Sequence, residues 1–259
     1  MAHDPTEKAL AAERLGRLRE LVRARRVVRL QEVCRELDVS TATARRDLAE
    51  LEQCGDLRRV HGGAVSVESR LAEPLFDDKT ARAAREKQRI AQAALQLIRP
   101  GETIYLDGGS TVLALARLLR DRTQVTVVTN SLRAAIELAA AGPRLLLVGG
   151  ELRRLSQTLV GPLTRSLLEE LHVDRAFMGT MGLTPEGLTT TDPGEAYTKE
   201  LVMHRAREVV LLADHSKFDK VLFARAGRLE QVQVLITDKK LDAAWARALS
   251  QHGVKVQKV

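Results

Sequence analysis

Residues 39–64, VSTATARRDLAELEQCGDLRRVHGGA, constrain the fold of this chain more than any other stretch. Ser40 stands before a pattern in which Ala44, Leu48 and Leu51 recur at i, i+4 and i+7, the single apolar stripe of a helix with 3.6 residues per turn. The other faces carry Ala42, Thr43, Arg45, Arg46, Ala49 and Gln53. Upstream, LQEVCRELDVS reads as a second short helix with Val33 and Leu37 turned inward, and Asp38-Val39-Ser40 leaves room only for a tight turn. Two helices joined this way, the second presenting small, hydroxyl and guanidinium side chains outward, form a helix-turn-helix suited to a DNA major groove. An exposed Arg-Arg pair alone marks only a solvated face, so the sequel matters. Gly55 suits a left-handed helix cap, and LRRVHGGAV then reads as a short strand, a Gly-Gly turn and a return strand, which is a basic wing. The residues expected against DNA are Ser40, Thr41, Thr43, Arg45, Arg46, Arg58, Arg59 and His61, with His61 equally suited to stabilising the turn.

From residue 102 the rhythm changes to short apolar strands alternating with amphipathic helices: TIYLD then VLALARLLR, VTVVT then LRAAIELAA, RLLLVG, RAFMGT, VVLLAD and VQVLIT. This alternation predicts a mostly parallel sheet covered on both faces, so the chain is α/β with an N-terminal winged helix-turn-helix. Ligands of such sheets bind at loops leaving the strand C-termini. Here those loops are Gly108-Gly109-Ser110-Thr111, Asn130-Ser131, Gly149 to Arg153, Asp214 to Phe218 and Gly179 to Gly182. Backbone amides and hydroxyls at helix starts favour an anion, and a Lys or Arg beside them strengthens that preference. Taken singly, each loop is a turn or a helix cap; their recurrence at successive strand ends points to a phosphate and the hydroxyls of a small polyol. No Walker signature and no GxGxxG occurs, which disfavours nucleotide hydrolysis and dinucleotide binding.

These patterns divide the chain into residues 1–67, a polar linker at 68–79 and an α/β domain at 80–259, the last opening with one long helix over residues 81–98. Net charge is +7, which favours a polyanionic partner. Residues 1–66, however, hold thirteen Lys or Arg against eleven Asp or Glu, so local arrangement rather than total charge must serve DNA binding. Two cysteines, Cys34 and Cys54, exclude a disulfide scaffold, and no His cluster accompanies them for a metal. The charged N-terminus lacks an apolar core for a signal peptide, and no apolar run approaches the ~20 residues that span a bilayer. The expectation is a cytoplasmic protein without cofactor, metal or membrane contact.

Residues 13–64 closely resemble the N-terminal domain of DeoR-type transcriptional regulators, most specifically around SxxTxRRDLxxLExxGxLxRxHGGA. The departures are Ala44 in place of a larger aliphatic residue, Cys34-Arg35 in place of a small apolar pair, and ARRVVR without a glycine before the second helix. Downstream, DGGST, TNS, GGELR, GLTTTDPGEAYTK, DHSKF and ITD resemble the effector domain of the same family, which is similar in fold to ribose-5-phosphate isomerase. The resemblance implies a lost isomerase chemistry and a retained sugar-phosphate pocket. It carries over as effector-binding candidates Asp107, Gly109, Ser110, Thr111, Asn130, Gly150, Arg153, Glu195, Asp214 and Lys217, with Lys199 in addition. It further implies a homo-oligomeric repressor, dimer or tetramer, of a sugar or carbon operon. Double-stranded operator DNA and a phosphorylated sugar would be its partners. Two other readings compete: an isomerase using Glu195 or Asp214 with Lys217 for acid–base work, and an architectural DNA binder that ignores effectors.

Overall fold

The computed structural model describes residues 5–259 except 26, 55, 61, 67–72, 75 and 141. The chain forms two units, Met1–Ala72 and Glu73–Val259. In the first, helix α1 (Pro5–Arg25) precedes strand β1 (Val27–Arg29), helices α2 (Leu30–Leu37) and α3 (Thr41–Gln53), and strands β2 (Leu57–Val60) and β3 (Gly63–Ser66). Ser40 caps α3 by accepting a hydrogen bond from the Thr43 amide at 3.2 Å. Asp38, in the left-handed region at φ 52°, ends α2 and makes the tight turn. The apolar stripe does what its spacing predicts: Val33, Leu37, Ala44, Leu48 and Leu51 are buried against Leu18 and Val22 of α1. Each fully buried leucine contributes about 1.5–3 kcal/mol. Ala44 is wholly enclosed, so the smaller residue leaves the stripe closed. Beyond the expected two-stranded wing, VVR supplies a third strand, and the sheet order is β1-β3-β2. The Gly55 cap lies outside the described residues, and Cys54 at the helix end is exposed.

One feature of α3 breaks its own amphipathic pattern. Asp47 is buried among apolar neighbours and accepts a bidentate pair from Arg14 of α1, at 2.6 and 3.0 Å. That fork orients α3 on α1 more specifically than apolar packing alone does.

The second unit begins with helices α4 (Phe76–Ala81) and α5 (Ala84–Leu95). Its seven-stranded sheet contains β4 (Thr103–Leu106), β5 (Thr126–Thr129), β6 (Arg144–Leu147), β9 (Val173–Gly179), β12 (Ala206–Leu212), β14 (Val234–Thr237) and β15 (Lys255–Lys258). All neighbours pair in parallel, in the order β15-β14-β12-β9-β4-β5-β6. Helices α6 (Ser110–Leu118), α7 (Leu132–Leu138), α8 (Arg165–Glu170), α9 (Pro193–Arg205) and α10 (Ala243–Gln251) cover it. Alternate strand residues feed two cores. Ile104, Leu106, Val127, Phe177, Val210 and Ile236 pack with α5 and α6 on one face. Tyr105, Val128, Met178, Val209, Leu211 and Leu235 pack with α9 and α10 on the other.

Four local features depart from the sequence reading. A hairpin of β7 (Glu151–Arg153) and β8 (Thr158–Val160) follows β6. An antiparallel sheet of β10 (Gly182–Thr184), β11 (Gly187–Thr190) and β13 (Ala224–Gly227) stands apart from the main one. The expected single helix over 81–98 is shorter: α4 ends at Ala81, Ala83 takes φ 52°, and α5 covers only Ala84–Leu95. The break is held by Lys87, buried on α5, whose ammonium donates to the carbonyls of Lys79 and Arg82 at the end of α4. Residues 73–79, read from the sequence as linker, belong to the second unit, and Glu73, Phe76 and Lys79 are buried. The Glu73 carboxylate anchors this strap. It accepts from Lys79 at 2.6 Å on one oxygen, and from Arg153 and Thr191, each at 2.6 Å, on the other. Burial works against its charge, but those three donors outweigh burial and hold the carboxyl at about 2.

Two outcomes follow from these buried charges. Asp47→Ala should destabilise the first unit by about 1–3 kcal/mol, since Arg14 is partly exposed and regains water; denaturation followed by circular dichroism measures it. For Glu73, a folded-state pKa below the unfolded value of 4.5 means that its stabilisation is complete above pH 4.5 and is lost as pH falls toward 2. The stability gap between the wild type and Glu73→Gln should therefore shrink across that window, and a constant gap would show that the charge contributes nothing.

Candidate functional site

The strand order reverses once. From β4 the chain runs outward to β5 and β6, then returns to place β9 on the other side of β4 and continues to β12, β14 and β15. Loops leaving β4 and β9 therefore diverge and open a crevice at their C-terminal ends, the usual ligand position in such sheets. A pocket lies there, lined from β4 and its loop by Asp107, Gly108, Gly109, Ser110 and Thr111, and from β9 and its loop by Gly179, Thr180 and Met181. Asn130 after β5 and Ser156 and Thr158 of the β7–β8 hairpin close one side. Glu195 and Lys199 of α9, Lys217, and Glu73 and Lys79 of the strap complete it. The free space is about 50 Å³, the room of a few water molecules.

The local backbone explains the anion-friendly side. Gly109 sits at φ 128°, a conformation side chains resist, and starts α6 with no side chain capping the helix amides. Gly108 passes so close to Thr158 that a Cβ would lie 2.2 Å from the threonine methyl. The first-turn N–H groups of α6 thus reach the pocket beside the hydroxyls of Ser110 and Thr111. Asn130 donates to the Leu159 carbonyl at 3.0 Å, while its Oδ1 is buried with no partner among the described residues.

Charge is arranged around this helix end. Asp107, fully buried, accepts from the Lys199 ammonium and, at 2.9 Å, from the Gly179 amide. Burial pushes its carboxyl up, against the opposing pull of Lys199 and Gly179. Glu195 accepts from Thr190 at 2.7 Å and from Arg153 at 3.1 Å. The Lys217 ammonium makes no hydrogen bond or ion pair among the described residues, although the Lys217 amide donates to the Asp214 carbonyl at 3.0 Å; burial pushes the ammonium down from the usual lysine value, the nearby Asp214 partly offsetting this.

Of the ten residues carried over from the resemblance, seven line the pocket: Asp107, Gly109, Ser110, Thr111, Asn130, Glu195 and Lys217. Lys199, added to them, lines it too. Three do not. Gly150 turns the chain into the β7–β8 hairpin, where a Cβ would lie 2.8 Å from the Thr164 methyl. Arg153 lies behind the wall, engaged with Glu73, Glu195 and Asp192. Asp214 is fully buried and caps the turn at His215–Lys217 by accepting from the Ser216 amide at 2.9 Å. Sequence reading missed Glu73 and Lys79, which looked like linker, and Ser156 and Thr158, whose hairpin has no apolar alternation long enough to announce it.

On α3, Thr41, Arg45 and Arg46 are exposed, and neither arginine has an ion pair among the described residues. Ser40 and Thr43 are tied together, hydroxyl to hydroxyl, at 2.9 Å. Arg59 is not free for DNA in the same way: its guanidinium and amide both bind Glu52 of α3, at 2.7 and 2.8 Å, and so fasten the wing to the helix. Arg45 and Arg59 also line a groove between α3 and the wing turn at Gly62-Gly63. Arg58 is placed in β2 by its backbone pairing with Val65, and His61 lies outside the described residues.

Comparisons with known proteins agree with this division. Residues 14–70 match the DeoR-like helix-turn-helix domain and residues 82–239 the DeoR C terminal sensor domain. The chain is 39% identical over 248 residues to the HTH-type transcriptional regulator GlpR of Haloferax volcanii, covering 95% of this chain and 97% of that protein. It is 38% identical over 230 residues to the lactose phosphotransferase system repressor of Streptococcus mutans, covering 87% and 91%. Among solved structures, ribose 5-phosphate isomerase A of Methanocaldococcus jannaschii is similar over 52% of this chain and 55% of that one, at 24% identity and a TM-score of 0.38, a partial likeness that bears on neither activity nor mechanism. The chain belongs to the DeoR family of helix-turn-helix transcriptional regulators.

Proposed function

We infer that this regulator represses an operon of sugar or carbon metabolism, and that a phosphorylated sugar bound in the switch-point pocket changes its affinity for the operator. One observation carries the ligand class: the uncapped start of α6, Lys217 with its unpaired ammonium, and Asn130, whose Oδ1 is buried without a partner among the described residues, all line one pocket. A phosphate satisfies the first two, and a sugar hydroxyl donating to Asn130 satisfies the third. The names of two relatives, a lactose phosphotransferase system repressor and a putative aga operon transcriptional repressor, support repression of sugar genes. The chemistry argues against isomerase turnover. Asp214 caps a buried turn and Glu195 is engaged by Arg153 and Thr190, so neither stands as a free base opposite Lys217.

The protein is read as cytoplasmic, without cofactor and not an enzyme; no helix among the described residues is long and apolar enough to cross a membrane. Residues before Glu73 read operator DNA and those after it sense the ligand. Self-association would present two α3 helices to half-sites about 34–36 Å or a multiple apart.

Fluorescence anisotropy with DNA flanking the coding region, at fixed salt and with a panel of sugar phosphates, tests the reading. Specific binding shifted by one sugar phosphate is expected; specific binding indifferent to all of them would favour an effector-independent architectural protein. Arg46→Ala should cost about 1–3 kcal/mol on the operator and little on random DNA; equal losses on both would make Arg46 a phosphate contact only. Lys217→Ala should weaken the effective sugar phosphate about tenfold or more while sparing operator binding, and an unchanged response would remove Lys217 from the site.

A further inference from the structure

The pocket's formal charges balance. Three carboxylates, Glu73, Asp107 and Glu195, face three ammonium groups, Lys79, Lys199 and Lys217. An incoming phosphate would bring about two negative charges into a site whose lining lysines only equal its carboxylates in number, with room for only a few waters. It gains a surplus if one carboxylate withdraws, and the three are not equally able to do so. Asp107 ends a central strand and is tied to Lys199 and the Gly179 amide. Glu195 lies in the first turn of α9, held by Thr190 and Arg153. Glu73 lies in neither helix nor strand, three residues before α4, and is the first residue of the C-terminal unit. Its departure would release Lys79 toward the pocket and uncover Arg153, the cation now screened behind the wall.

We propose that Glu73 is a built-in anion that occupies the cation-binding wall of the pocket, and that an anionic ligand binds by displacing it from Lys79 and Arg153. This rests on the reading of the pocket as an anion site. Displacement frees the strap where the chain from the DNA-reading unit enters the sensor, so occupancy of the pocket becomes a change in the tether. The geometry favours competition over simple structural pairing because the Glu73 carboxylate imitates a phosphate. Its two oxygens take an ammonium, a guanidinium and a hydroxyl, all within 2.6 Å, at the edge of the ligand space.

The test is calorimetric titration of inorganic phosphate, at constant ionic strength, into the full chain and two variants. Glu73→Gln removes the competing charge, and Thr191→Val loosens the carboxylate without touching a lining side chain. Phosphate should bind Glu73→Gln about tenfold more tightly than wild type, the scale of one charge-assisted contact relieved of its rival, and Thr191→Val more tightly by a smaller factor. Glu73→Gln is expected to lose stability on either reading, so affinity decides: a merely structural Glu73 would leave or weaken phosphate affinity on replacement, and that result overturns the proposal. Thr191→Val decides the matter alone if Glu73→Gln does not fold. Hydrogen exchange adds a second readout: in wild type, saturating phosphate should speed exchange at residues 73–79, and unchanged exchange overturns displacement. Phosphate bound equally by all three proteins leaves the pocket standing and removes the competition. Phosphate bound by none removes the anion pocket itself, and the proposal with it.

Discussion

The parallel pairing of β4 with β9 is the constraint on which the sensor unit depends. These strands come from opposite directions of the chain's path, and their pairing across Ile104–Arg175, Tyr105–Ala176 and Leu106–Phe177 puts Asp107 beside Gly179. The Gly179 amide then binds the Asp107 carboxylate, and Lys199 bridges to both, donating to Asp107 and, at 3.1 Å, to the Gly179 carbonyl. Without the reversal of strand order the loops would fold toward one another and fill the crevice. With it, the N-terminus of α6 opens into a space walled by α9, the hairpin and the strap. Alternation of side chains along the central strands then covers both faces of the sheet, so the polar residues at the strand ends sit on a rigid floor.

Electrostatics in both units is a matter of pairing rather than of total charge. Of the arginines in the DNA-reading unit, Arg14, Arg19, Arg25 and Arg59 are taken by Asp47, Asp56, Glu36 and Glu52. Arg45 and Arg46 on α3 are left facing outward without an ion pair among the described residues, which is why nearly balanced charge in this segment is compatible with DNA binding. The sensor shows the same economy in reverse. Two of its pocket lysines, Lys79 and Lys199, are paired with Glu73 and Asp107, while the Lys217 ammonium has no ion pair among the described residues.

Much of this was legible without coordinates. The stripe Ala44, Leu48, Leu51 and the capping Ser40 announced α3, and the β-branched runs announced the parallel sheet. The Gly109-Ser110-Thr111 and Asn130 loops were placed at one pocket because parallel strands send all their C-terminal loops to the same end. The break at Ala83 was illegible, since no glycine or proline marks it and the contact that spans it, Lys87 to the carbonyls of Lys79 and Arg82, forms only in the folded chain. Arg153 was assigned to the ligand because Gly-Gly-Glu-Leu-Arg ends a strand, whereas the β7–β8 hairpin turns that side chain toward Glu73 and Glu195.

The sequence by itself determined the helix-turn-helix, the alternation of strands and helices, and the glycine- and hydroxyl-rich character of the strand-end loops, because each depends on residues within a few positions of one another. Only the tertiary structure decided the strand order, the partners of the buried lysines and the place of Glu73 in the pocket wall. The Glu73 carboxylate meets Arg153 across 80 residues and Thr191 across 118. Contacts at such separation are set by how the whole sheet closes, and they leave no periodic trace in the chain that makes them.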